Sequence, residues 1–155
     1  MTSPGLTSDD ARWMQRALEL AAEAARAGEV PVGAVLVVDG VEVGAGRNRC
    51  EQRGSSLAHA EIEALQQAFA AVGQKRLPEA TVYCTLEPCF QCTGALLHAR
   101  VRRIVFGARD PKFGACKSLA ELPADPRLNH RCPVDEGLFA AESAELLRSF
   151  FKSRR

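Results

Sequence analysis

The sequence contains no apolar run approaching the roughly 20 residues that a membrane-spanning helix needs. Residues 1–10 carry neither the basic stretch nor the apolar core of a secretory signal. Excess charge is also lacking: the net charge is +1, so bulk electrostatics does not mark a nucleic-acid binder. Any RNA contact therefore requires a local basic patch. There is no internal repeat and no low-complexity linker, so the expectation is one domain over residues 1–155, located in the cytoplasm. In that reducing setting the six cysteines read as metal ligands and buried thiols rather than disulfides. What remains is an ordinary globular balance, 46% apolar and 25% charged, on a chain long enough to bury a core.

The periodicities divide this chain into short elements. Thr7 or Ser8 can cap a first helix, with Asp9 and Asp10 favourable at its positive end. Trp13, Ala17, Leu20, Ala21 and Ala24 form its apolar stripe, and Gly28 closes it. Residues 32–38 are a nearly unbroken apolar run, read as a buried strand. Asp39-Gly40 turns it into a second strand over 41–46. Residues 47–57 are polar and read as a loop. A second helix spans 58–72, with Ile62, Leu65 and Phe69 on one face. A strand at 81–85, a helix at 89–99 and a strand at 103–107 follow. Residues 110–129 form a long connection of the kind that is usually functional in compact domains. A brief strand near 131–134 and a helix over 138–154 end the chain. The alternation predicts a helix-flanked α/β sheet of mixed strand directions.

The chemistry concentrates in two places, His59-Ala60-Glu61 and Pro88-Cys89-Phe90-Gln91-Cys92. Cys89 and Cys92 are three apart at the start of a helix, so both project to one side. His59 opens another helix. One imidazole and two thiolates suit Zn²⁺. Helix starts offer a positive dipole end, which favours thiolates, and Pro88 fits a first turn. No fourth ligand shows suitable spacing. A structural zinc site normally has four protein ligands, whereas a catalytic one leaves a position for water. Taken singly, a C-x-x-C is equally a redox pair, a histidine a buried core residue and Glu61 an ordinary first-turn glutamate. Their combination selects a hydrolytic metal centre, in which the metal makes water acidic near pH 7 and Glu61 carries its proton. Cys50, Cys84, Cys116 and Cys132 have no partner spacing; Cys84 reads as a buried strand thiol.

The H-x-E and P-C-x-x-C segments resemble the signature of the zinc-dependent nucleobase and nucleoside deaminases. The likeness runs through residues 29–35, 46–49, 85–89, 105–110 and 129–131. In these it is similar to the bacterial tRNA-specific adenosine deaminases, a branch of the cytidine/deoxycytidylate deaminase superfamily. The resemblance implies a three-layer α-β-α fold with a mixed five-stranded sheet, one zinc per subunit and a homodimer. It implies conversion of adenosine to inosine at the wobble position of a tRNA anticodon. Zinc hydroxide would attack C6, and Glu61 would shuttle the proton to N1 and help expel ammonia. The Ala60 backbone N–H would hold the attacking oxygen, Asn48 the base edge and Val30 the base face. Without the resemblance, Asn48 reads as a turn residue and Val30 as a core contact.

Asp110, Lys112 and Phe113 would lie near the nucleic acid, as would the basic end with Lys152, Arg154 and Arg155. The plainer reading of that end is a core-packed Phe150-Phe151 pair and a solvated tail. The chain departs from the family pattern in three places: Ser55-Ser56-Leu57 replaces a frequent Asp-Pro-Thr, Gln91 a methionine and Lys117 a glycine. They bear on loop shape and substrate breadth. Two other functions compete, a free-nucleobase or nucleoside deaminase, such as one for guanine or cytosine, and a zinc-stabilised RNA-binding module without catalysis. The matches at Val30-Pro31, Asn48 and 108–110 disfavour the first. The retained Glu61 and the missing fourth ligand disfavour the second.

Overall fold

The computed structural model describes residues 5–154. The chain runs through α1 (Ser8–Arg26), β1 (Gly33–Val38), β2 (Val41–Arg47), α2 (Cys50–Arg53), α3 (Ala60–Val72), β3 (Thr81–Leu86), α4 (Phe90–His98) and β4 (Arg103–Ala108). A 3₁₀ turn at Leu122–Ala124, β5 (Val134–Glu136) and α5 (Ala140–Lys152) complete it. The five strands form one sheet in the order β2-β1-β3-β4-β5. β1 is antiparallel to β2 and β3, whereas β3–β4 and β4–β5 are parallel. The mixed, helix-flanked sheet is the expected one. No described helix is long and apolar enough to cross a membrane.

Strand alternation divides the core. Ala34, Leu36, Val82, Cys84, Ile104 and Phe106 face one side, with Ala60, Ala64, Ala68 and Leu96 from α3 and α4. Val35, Val37, Tyr83 and Val105 face the other, against Met14, Ala17 and Leu20 of α1. Because helices cover both faces, β1, β3 and β4 are buried almost throughout and read as continuous apolar runs.

The two segments furthest from expectation lie next to the site and at the sheet edge. Within the expected loop 47–57, residues 50–53 form the short helix α2. The last strand pairs at Val134–Glu136, beyond the expected 131–134, with Ile104↔Val134 and Phe106↔Glu136 in register. Arg131 and Cys132 precede it as irregular chain, the Cys132 N–H donating to the Pro123 carbonyl at 3.1 Å.

Thr7 is the cap of α1. The Asp10 N–H donates to Thr7 Oγ1 at 3.2 Å, and the Thr7 N–H donates back to Asp10 Oδ2 at 2.9 Å. Asp10 also receives Arg103 Nη1 at 2.9 Å and the Tyr83 hydroxyl at 2.7 Å, while Arg103 Nη2 reaches Asp135 at 2.7 Å. This buried network ties α1 to β3, β4 and β5, remote from the other end of the sheet where the site lies.

That other end is the carboxyl edge of the parallel pair β3–β4. The start of β1 lies there because β1 opposes β3, and the end of β2 lies there because β2 opposes β1. Four segments therefore converge: residues 29–33, 47–50, 86–89 and 108–113. Gly46 lets β2 approach the start of α3 closely, since a Cβ there would run into the Ala60 carbonyl.

Candidate active site

His59 and Cys89 occupy the N-cap positions of α3 and α4, both with extended backbone, and neither side chain caps its own helix. They turn toward each other instead. His59 Nδ1 lies 3.5 Å from Cys89 Sγ and 3.4 Å from Cys92 Sγ. The three donor atoms fall within 4.8 Å of one another, and no fourth His, Cys, Asp or Glu joins them among the described residues. Bonds of about 2.1 Å to nitrogen and 2.3 Å to sulfur at a tetrahedral angle put those atoms about 3.6 Å apart. The observed spacing therefore fits one tetrahedral ion with a fourth position left over.

The thiols respond to one another. Hydrogen bonding from the Cys92 side chain, and then from His59, draws the Cys89 thiol down to about 4, while the same bond and burial push Cys92 up. The hydrogen bond to Cys89 raises His59. A bound cation displaces the remaining thiol proton, since thiolate is the ligating form. Glu61 stays outside the ligand cluster and is 4% exposed. Burial raises its carboxyl to about 7 in the absence of an ion.

A cavity of about 440 Å³ opens over these groups. Its lining includes His59, Glu61 and Cys89 and the expected Val30, Asn48, Ala60 and Asp110. Phe113 and Phe151 stand at its rim, 65% and 50% exposed. Ala60 is the first residue of α3, where N–H groups have no intrahelical acceptor. Asn48 is a turn residue that also borders the cavity. Its Oδ1 accepts the Cys50 N–H at 3.0 Å. With the oxygen engaged, the Nδ2 group is the one left for a ligand. Asp110 lies on the cavity wall, but its Oδ1 accepts the N–H groups of Lys112 and Phe113 at 3.0 and 3.3 Å and so shapes the turn.

The basic end is brought in only partly. Arg154 lines a neighbouring cavity of about 550 Å³ that shares Val30, Asn48 and Phe151 with the first, and its guanidinium stacks on Phe150 at 4.3 Å. Lys152 and Lys112 line neither cavity, and Arg155 lies outside the described residues. Phe150 is buried, as expected of a core aromatic, but Phe151 reaches the cavity rim. The helical step of 100° per residue separates such neighbours and would have shown that only one of them can face the core.

Glu87 was not anticipated. It is buried and accepts the N–H groups of Asp110, Cys116, Lys117 and Ser118 at 2.8 to 3.1 Å, plus the Ser118 hydroxyl. Burial opposes its ionisation, but the Ser118 hydroxyl and the backbone donors outweigh this and hold the carboxyl below its ordinary value. Glu87 thus folds the long connection onto the segment carrying Cys89. Gly114 packs directly on that carboxylate, with no room for a Cβ. Gly114→Ala is expected to cost about 1–3 kcal/mol in urea unfolding, the scale of an overpacked site. An unchanged midpoint would contradict this packing.

A helix-flanked mixed sheet, with a His/Cys/Cys cluster and a buried glutamate at its carboxyl edge, defines the class of metal-dependent deaminases. The sequence profile of the MafB19-like deaminases matches residues 8–155. The chain is 45% identical over 143 residues to the tRNA-specific adenosine deaminase of Agrobacterium fabrum, covering 92% of this chain and 94% of that one. A structure solved in work on A-to-I editing by tRNA:A34 deaminases superposes with a TM-score of 0.84 at 44% identity, covering 88% and 99% of the two chains. A guanine deaminase from Nitrosomonas europaea superposes less well, with a TM-score of 0.75 at 26% identity over 97% and 85%. The chain belongs to the MafB19-like deaminase family by its profile and, by its identity to them, to the tRNA-specific adenosine deaminases.

Proposed function

We propose that this chain is a zinc-dependent hydrolase that converts the wobble adenosine of a tRNA anticodon, with water, to inosine and ammonia. The observation that carries the reading is the three-ligand cluster beside Glu61 at the floor of a cavity walled by Val30 and Asn48. The 45% identity to a tRNA-specific adenosine deaminase supports the choice of substrate.

His59, Cys89 and Cys92 would hold one zinc ion per chain. When bound, zinc supplies a Lewis acid that makes water acidic enough to react near neutral pH. Glu61 would take one proton of the attacking water and deliver it to N1 of the base, then take the proton of the hydroxyl formed at C6 and pass it to the amino group, which leaves as ammonia as the C6 carbonyl forms. The Ala60 N–H donates to the oxygen developing at C6. The Asn48 amide holds the base edge, and Val30 covers the base face. Such a floor admits only a nucleotide swung out of its stack, as an anticodon loop permits. The protein would act in the cytoplasm as a homodimer, each tRNA drawing on both copies.

The deciding experiment offers the purified protein an anticodon stem-loop and, separately, free adenosine, guanine and cytosine, and follows products by mass spectrometry. Inosine in the stem-loop is the expected result. Product from a free base or nucleoside alone would replace the reading by that of a small-molecule deaminase. At the basic end, replacing Lys152, Arg154 and Arg155 together by alanine should weaken stem-loop binding. It should also flatten the salt dependence, by about 0.7 in log–log slope for each phosphate no longer neutralised. An unchanged slope would show that this end pairs with no phosphate.

A further inference from the structure

We infer that Glu29 is a positioning residue for Asn48, acting through the first turn of α2; the inference rests on the proposed role of Asn48 in holding the base. Glu29 is 2% exposed and touches no part of the metal cluster. Both of its carboxylate oxygens are engaged at one place. Oε1 accepts the Glu51 N–H at 3.0 Å, and Oε2 accepts the Gln52 N–H at 2.7 Å. The Cys50 N–H, next in the same turn, is taken by Asn48 Oδ1 at 3.0 Å. Two side chains thus divide three consecutive donors, one to Asn48 and two to Glu29.

The division sets the direction of the Asn48 amide. α2 has only four residues, too few to stand by helix propagation, and Arg49 at its N-cap supplies no side-chain acceptor. Its place is fixed from outside. Arg53 at its end reaches Glu63 of α3 at 2.7 Å, and Glu29 holds its start. The Asn48 backbone is tied separately, its N–H donating to the Val32 carbonyl at 3.2 Å. What the α2 start decides is therefore the side chain: with Cys50 N–H held in place, Oδ1 is kept on the turn, which leaves Nδ2 as the group to meet a ligand in the cavity that Asn48 lines. Without Glu29, the N–H groups of Glu51 and Gln52 lose their buried acceptors and the turn moves to find others. The Asn48 amide then loses the fixed partner that orients it. Glu29 also directly precedes Val30, so one carboxylate registers both walls of the base pocket.

A double-mutant cycle tests this. Glu29→Gln keeps the volume but replaces one acceptor oxygen with a donor that faces an N–H. Glu29→Gln, Asn48→Ala and the double variant are compared for kcat/KM on the anticodon stem-loop, for zinc content and for thermal unfolding. Glu29→Gln is expected to lower kcat/KM about tenfold, the worth of one oriented hydrogen bond. It should have no further effect in the Asn48→Ala background, where its loss of thermal stability persists. Multiplicative losses in the double variant would overturn the inference and leave Glu29 a structural cap. Should Glu29→Gln not fold, Glu29→Asp, which retains two acceptors on a shorter arm, enters the same cycle with the same two outcomes. Should the wild-type protein act on a free base instead of the stem-loop, the proposed substrate falls. The cycle run on that base still decides the role of Glu29.

Discussion

Replacing Glu61 by alanine is expected to lower inosine formation by about a hundredfold to ten-thousandfold, the range of a lost general acid–base, with zinc content unchanged. The two effects separate because Glu61 stands beside the ligand cluster rather than in it. His59, Cys89 and Cys92 retain their donor atoms, and both helix starts keep their geometry. Folding is expected to suffer little. A carboxyl kept in a site where burial raises it to about 7 is costly to hold charged, so its removal relieves a penalty as it opens a small void. Glu61→Gln sharpens the experiment, because it keeps volume and polarity but cannot carry a proton. Inosine formation per bound zinc, measured on the anticodon stem-loop, reads the loss directly. Activity within tenfold of the unchanged protein in both variants would remove Glu61 from the reaction.

How much of this site the sequence discloses depends on the distance over which each contact is made. The ligands are legible because their constraints are local. Cys89 and Cys92 share one turn, and His59 and Cys89 sit at cap positions with side chains released from capping. α2 is not legible, because Cys50-Glu51-Gln52-Arg53 is too short to show a period and its start is held by Glu29, 22 and 23 residues away. The place of β5 is likewise set by its neighbour. Pro133 has no N–H to give, and its carbonyl accepts from Ile104 before the register of β4 selects Val134–Glu136. Glu87 is hidden in plain view: it adjoins Pro88-Cys89, but its five donors come from residues 110–118. The reacting groups are therefore written in short motifs. The residues that orient them are joined across the chain.

A contact between distant parts of the chain has the largest expected effect on stability. Arg103→Ala is expected to destabilise the protein by about 3–5 kcal/mol, the cost of stranding one side of a buried ion pair. In a chain of this size that lowers the unfolding midpoint by roughly 6–20 °C. Arg103 is 8% exposed, and Asp10, 93 residues earlier, is 3% exposed. The guanidinium gives two bonds to the Asp10 carboxylate and two to Asp135. Without it the Asp10 charge keeps the Tyr83 hydroxyl and the Thr7 N–H but no cation. The pH dependence follows from the same network. Burial by itself would raise the Asp10 carboxyl, but bonds from Arg103, Tyr83 and Thr7 outweigh it and lower the value from 3.8 to about 2. A carboxyl depressed in the folded state adds stability above its unfolded value and loses it as pH falls through the folded one. In the unchanged protein this contribution is therefore complete above about pH 4 and lost toward pH 2. In Arg103→Ala the largest lowering influence is gone and burial is left less opposed. The carboxyl rises toward its unfolded value, so the stability that Asp10 loses on acidification shrinks and the acid limb of the variant flattens, from a lower plateau at neutral pH. Urea unfolding from about pH 2 to pH 7, a range that spans both values, reads both effects. A variant within about 1 kcal/mol of the unchanged protein, with the same acid limb, would show that Arg103 is not what holds Asp10 ionised in the core.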